Sequence, residues 1–362
     1  MPLVERSTGL EFKTTPRHAL RTRDEVGAFV RQKLVEQMPR ERFEMYVQAY
    51  QLLGLLPDTL DLPALMERLL TQQIAGFYDP DSSTLYAVAG ASPDVQRLTI
   101  AHELVHALQD QYLPLDSILH DRSNNDRSTA AQAILEGQAH FASLLMLQDS
   151  SLVLSDEFWH RMREIGDQML GVSGLDSVPI VIREGLLFPY LRGGEFMKWW
   201  SSSPLRDTLP YGPRMPQSTE QILFPTRYLG GDRPRELVFG DTVAGAYEDV
   251  LGEFELHLLS ELATGRRAVD VVLPFGWGGD RYRVTPTPEG PALAWYAVWD
   301  TPEARDRFVR QMREFLTRAR RPAYVATVDT LTIDGLAGLR MVSAPTPWLS
   351  SAKLPTARVV DR

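Results

Sequence analysis

Two histidines one helical turn apart constrain this chain more than any other feature. In LTIAHELVHALQDQ, running from Leu98 to Gln111, His102 and His106 stand four residues apart, which on a helix puts both imidazoles on one side. Both ring nitrogens can then reach one zinc ion at about 2.0 to 2.1 Å. Glu103, turned about 100° from His102, can serve as a general base without being a ligand. A catalytic zinc of this kind needs a third protein ligand and one open position. The chain has 0 cysteines, so that ligand must be His, Asp or Glu, and a second segment must fold back onto the motif helix.

The candidate is Glu136 in AILEGQAHF, 34 residues after His102 and on a helix expected from about Thr129 to Leu147. His120 and Asp121 in the polar connector are alternatives, as is His140 one turn past Glu136. Gly137 and Ala139 favour Glu136, because small neighbours let two helices approach closely at a buried metal.

At 362 residues, 44% hydrophobic and 23% charged, the chain has ordinary globular composition and room for two domains. Its net charge of -9 is spread without blocks, which argues against nucleic acid as a partner. No window approaches the roughly twenty apolar residues of a membrane helix, and MPLVERSTGLEFKTTPR lacks the apolar run of a signal peptide. The compartment stays unassigned; an extracytoplasmic place would require a processed N-terminus.

The expected fold is α+β and mostly helical, with residues 1–265 as one domain and 266–362 as a small α+β module. A helical scaffold occupies 20–75: two helices between Thr22, a cap, and Gly54, then a third capped by Asp61 with Pro63 in its first turn. AGFYDPDSSTLYAVAG reads as a β-hairpin closed around Asp79-Pro80-Asp81. The active-site helices fall within 94–147, the first starting near Asp94 and ending before Pro114. LLFPYLRGGEFMKWW and YGPRMPQSTEQILFPTRYLGG, rich in Pro, Gly and aromatic residues, read as ordered loops that build binding walls. Beyond Gly265 the pattern is strand, strand, helix, strand, strand, an antiparallel sheet with one helix.

Six motifs run in order as far as Tyr282: AGFYDP, AHELVHALQDQ, EGQA, FPY, STEQILFPTRY and GWGGDRY. HELVH followed by a glutamate on a later helix resembles the gluzincin metallopeptidases. The whole series is similar to a bacterial family of zinc-dependent peptidases that carry AGYYDP, AHELTHALQDQ, EGDA, FPY, STEQILHP and GWGGDRY. The resemblance implies a zincin-like catalytic region, Zn2+ held by His102, His106 and Glu136, Glu103 as base, and a peptide or protein substrate. Gln138 replaces the acidic residue of EGDA, and Phe224 replaces the histidine of ILHP. Those departures motivate an alternative, a catalytically impaired zincin fold acting as a binding or assembly module. Hydrolysis of a non-peptide amide would use the same residues.

Further residues fall near this site in the sequence reading. Asp110 either orients a ligand histidine or, with Gln111, forms a network at the helix end. His140 lines the cleft or is a buried structural histidine. Tyr190, Tyr211, Arg214 and Tyr228, placed in loops, are candidates for the donor that stabilises an oxyanion opposite the metal. Trp199 and Trp200 read as core or groove wall. GWGGDRY reads as a tight turn that packs Trp277 and Tyr282 and pairs Asp280 with Arg281.

Overall fold

The computed structural model describes residues 1–37, 40–90, 92–119, 121, 123–172, 178–266, 276–319, 321–350 and 352–360; His120 lies outside them. The described chain is α+β with helix predominating. The scaffold helices Arg23–Gln37, Arg40–Leu53 and Leu62–Gln73 stand where their caps put them. Thr22 Oγ1 accepts from Glu25 N at 3.3 Å and Glu25 Oε2 accepts from Thr22 N at 2.7 Å, a reciprocal box that satisfies two orphan amides. Gly54 ends the second helix at φ 80°, and Asp61 Oδ1 takes the Ala64 amide at the head of the third.

The hairpin forms as Gly76–Asp79 antiparallel to Thr84–Val88. A third strand, Arg17–Arg21, pairs with Thr84–Val88 in parallel, a long-range pairing that no local pattern announced. Gly76–Asp79 is therefore an edge strand of this sheet. The motif helix follows as Pro93–Asp110, with Ser92 accepting from Val95 N. The return helix, Asn125–Leu147, starts one turn earlier than expected, because the Asn124 side chain caps Arg127 N at 2.9 Å.

LLFPYLRGGEFMKWW is not a loop. It lies within the helix Ile180–Ser202, which continues through Pro189 and buries Phe188, Phe196, Met197 and Trp200. Its glycines mark a helix crossing: a Cβ on Gly193 would lie 2.0 Å from Ala133 O, and one on Gly137 would lie 2.2 Å from the Gly193 carbonyl carbon. Gly194 makes room for the Trp159 ring in the same way. Helix propensity disfavours Pro and Gly here, but burial of one whole face outweighs it. In the second segment read as loop, short helices form at Thr219–Leu223 and Pro225–Leu229.

The C-terminal sheet is antiparallel, in the order Tyr247–Asp249, Trp277–Thr285, Ala292–Trp299, Leu336–Pro345, Tyr324–Ile333. The helix Pro302–Arg318 covers it with Phe308, Val309, Met312 and Phe315. The expected order of strands and helix is present. Strand Tyr247–Asp249 joins from before residue 265, and Ala357–Val360 pairs with Glu236–Phe239, so ladder hydrogen bonds cross the boundary drawn there.

GWGGDRY is also not a tight turn. From Trp277 it is a strand whose register slips between Trp277 and Gly279, and a Cβ on Gly279, at φ 142°, would meet Arg235 O at 2.3 Å. Trp277 and Tyr282 are buried as expected. Asp280 and Arg281 do not pair, because successive strand residues point to opposite faces. Arg281 Nε donates to Glu248 at 2.9 Å. Asp280 points inward and accepts from the amides of Leu251 and Gly252 and from the indoles of Trp277 and Trp295. No described helix is long and apolar enough to cross a membrane.

The crossing yields a paired prediction. Gly193→Ala forces the helices apart and should cost at least about 1 to 3 kcal/mol. Gly185→Ala on the same helix, where an added Cβ meets nothing within 4 Å, should be neutral or stabilising by up to about 1 kcal/mol. Denaturant unfolding of the two variants beside wild type checks both.

Candidate metal centre

The motif helix presents His102, Glu103 and His106, and the return helix presents Glu136. The Nε2 atoms of the two histidines lie 3.0 Å apart, and Glu136 Oε2 lies 3.1 Å from the first and 3.3 Å from the second. Ligands about 2.0 to 2.1 Å from one tetrahedral ion stand about 3.3 Å from each other. The three donors hold nearly that spacing. Among the described residues they are the group of His, Asp or Glu able to hold a metal ion. Asp121 is outside it, engaged instead by Arg127 at 2.8 Å and by Ser123.

The donor set is strongly coupled. Burial pushes the Glu136 carboxyl up, but His106 and His102 outweigh it and hold the group well below the usual carboxylate range. Burial alone would lower His106, yet the Glu136 charge and hydrogen bond raise it to about 9. These groups therefore hold a proton near neutral pH, for which a divalent cation would compete. Glu103 is pushed up by burial and pulled down by the two histidines. Its Oε2 accepts from Tyr78 N at 2.7 Å, so the edge strand orients this carboxyl.

A relay of amides holds His106. Gln109, fully buried, places Oε1 2.8 Å from His106 Nδ1 while its Nε2 donates to Leu135 O at 3.0 Å and to Gln138 Oε1 at 2.8 Å. Because the amide NH2 must face the Leu135 carbonyl, its oxygen faces the ring, and Nδ1 must carry the hydrogen. Nε2 is then the nitrogen turned to the donor cluster, and it presents a lone pair there once its own proton is lost. The Tyr211 hydroxyl donates to the same Gln138 oxygen. Gln138, a departure from the EGDA pattern, thus accepts two hydrogen bonds without adding a charge.

The remaining candidates separate cleanly. Asp110 does not touch a ligand histidine: it accepts from Tyr78 Oη at 2.8 Å, fixing the edge strand to the motif helix at a second point. Gln111 ties the helix end to the N-terminal segment, accepting from the amides of Lys13 and Thr14 at 2.7 and 3.0 Å. Tyr190 lies on the helix Ile180–Ser202 rather than in a loop, and its ring stacks on His102 at 5.7 Å. The nearby Glu136 charge, together with burial, holds its phenol well above the usual range.

His140 packs edge-on against Tyr190 at 6.1 Å and Trp159 at 6.0 Å, with Nε2 buried and unbonded to any described residue. Burial pushes it down to about 4, so it is neutral. Tyr228 donates to Arg214 O at 2.8 Å and packs with Phe196, Trp199 and Trp200, while the Arg214 side chain is exposed. Phe224 lies 6.2 Å from the His257 ring. Of the four oxyanion candidates, Tyr190 is the one packed on a metal donor. Neither tryptophan seals the site: the side chains of His102, His106 and Glu136 keep 13%, 13% and 18% exposure, and Tyr190 keeps 37%.

Two functional contacts escaped the sequence reading. Gln109 was legible by spacing, since a residue three positions after His106 shares its helix face. The Tyr78 amide was not, because its position depends on strand packing.

A family model described as a domain of unknown function (DUF8575) matches residues 241–342. That span holds most of the C-terminal sheet and excludes the His102, His106 and Glu136 cluster. No curated relative and no solved structure matches the chain.

Two outcomes test this geometry. Gln109→Ala should weaken metal binding by about 10- to 100-fold, read by competition against a chromophoric chelator. Metal uptake at pH 7 should release about one proton per chain, because His106 gives up its proton to the incoming ion. The apparent affinity should therefore rise with pH up to about 9, measured by calorimetry in buffers of different ionisation enthalpy.

Proposed function

We propose that this chain is a zinc-dependent hydrolase of peptide bonds, with a zincin-like catalytic region. The observation that carries the proposal is the convergence of three donors within 3.3 Å of one another beside an independently oriented carboxylate. In this reading His102, His106 and Glu136 hold Zn2+, and a peptide or protein is the substrate. A bound zinc ion would supply Lewis acidity toward a carbonyl and toward water.

The chain's own groups account for the proton traffic. Glu103 keeps Oε2 on the Tyr78 amide, which leaves Oε1 to take a proton from the attacking water and to pass it to the leaving amine. Partial desolvation of that carboxyl raises its proton affinity toward the working range. The Tyr190 hydroxyl is the donor for the oxyanion that develops on the carbonyl oxygen. Gln109 keeps His106 in the metal-binding tautomer throughout.

The test compares wild type, Glu103→Gln and Glu136→Ala by elemental analysis and by turnover of a peptide library. Wild type and Glu103→Gln should carry near-stoichiometric zinc, and Glu136→Ala should lose it. Turnover should fall by about 10²- to 10⁴-fold in Glu103→Gln. Activity surviving that change removes Glu103 as the base, and a wild type that takes up no metal ends the reading. Stoichiometric zinc with no turnover would favour the binding or assembly module.

A further inference from the structure

A second recess lies where the start of the return helix, the segment before Glu236–Phe239 and the C-terminal sheet meet. It is a cavity of about 800 Å³ and contains none of the metal donors. Four arginines line it: Arg127, Arg233, Arg235 and Arg281. A guanidinium has five N–H donors in a planar fork. The hydrogen bonds formed with described residues use only Nη2 of Arg127, Nη1 of Arg235 and Nε of Arg281. Arg233 is exposed and forms no ion pair with any described residue.

Each acidic side chain on the wall already has a partner. Asp126 accepts from the Thr219 amide and hydroxyl. Asp280 accepts from two amides and two indoles, and Asp334 accepts from Val359 N at 2.7 Å. Glu236 also has a partner. The recess therefore offers unused guanidinium donors beside carboxylates that each already have a partner. Neutral polar groups from Ser123, Asn124 and Gln217 complete the rim. The unused guanidinium donors suit a ligand with several acceptor oxygens.

We propose that this cavity binds a small polyanion bearing phosphate or carboxylate groups, with Arg233 and Arg281 as its principal contacts. The chain's net charge of -9 works against long polyanions such as nucleic acid, whereas a recessed cluster of arginines selects a compact one. Such a ligand would join three parts of the chain that are distant in sequence, including the turn from which the return helix carries Glu136 toward the metal centre.

The probes are inorganic pyrophosphate and citrate, titrated calorimetrically into the full chain, with zinc content read in parallel because both probes chelate metals. Arg233→Gln is the decisive variant, since an exposed, unpaired side chain can be changed without loss of the fold. One-to-one binding of either probe, weakened at least tenfold in Arg233→Gln at unchanged zinc content, is the expected result. Failure of both probes to bind overturns the proposal. So does binding that survives Arg233→Gln but is lost with the metal in Glu136→Ala. Anionic phosphatidylglycerol vesicles separate a lipid headgroup from a free ligand: capture by vesicles without binding of either soluble probe also overturns it.

Discussion

Direct backbone contact between the return helix and the helix Ile180–Ser202 sets how deeply Glu136 is seated. Gly137 and Gly193 face each other with no room for a Cβ on either, and Glu136 is the immediate neighbour of that contact. On its other side the return helix packs Ala139 and Ala142 against Val105 and Leu108 of the motif helix. Small residues on both faces make it the thin middle member of a three-helix stack. The three candidate donors converge because that layer is thin: a bulkier interface on either side would carry the Glu136 carboxylate beyond the 3.1 and 3.3 Å that now separate it from the two imidazoles.

Buried carboxylates tie this stack to the rest of the molecule. Asp249 accepts from Asn125 N at 2.7 Å, and Asp126 accepts from Thr219 N at 2.9 Å. The first turn of the return helix is thereby fixed both to the C-terminal sheet and to the STEQIL segment. Asp280 closes the start of the helix Gly252–Thr264 in the same manner. Desolvation pushes Asp126 up to about 8 and Asp280 up to about 6. Each holds its place by accepting hydrogen bonds, N–H alone for Asp280 and N–H with O–H for Asp126, which compensate the loss of water.

The proposed chemistry draws on the same economy of contacts. Tyr78 touches the site twice, through its amide to Glu103 and its hydroxyl to Asp110, so one edge-strand residue orients the base and docks the strand. Gln109 links His106 to the return helix through Leu135 and Gln138, and it couples ligand orientation to helix spacing. The arginine-lined recess borders the other end of the return helix, and the structure thus places two separate constellations on one element.

The sequence by itself determined what depends on neighbours within a turn or two. Thr22 with Glu25, Asp61, the Asp79–Ser83 turn, and the one-sided pairing of His102 with His106 all follow from local spacing and capping. The strand alternation after Gly265 followed from side-chain periodicity. Glu136 was legible because cysteine is absent and its neighbours are small. Only the tertiary structure decided that the Pro- and Gly-bearing stretch around Phe188–Trp200 is a helix, since its stability comes from a buried face supplied by distant residues. It also decided that Arg281 meets Glu248 instead of Asp280, that Tyr190 rather than Tyr211, Arg214 or Tyr228 packs on His102, and that the Tyr78 amide holds Glu103. The physical reason is common to all of these. Local propensities and spacings act over a few residues, whereas hydrogen bonds and burial between segments more than twenty residues apart exist only after the chain has folded.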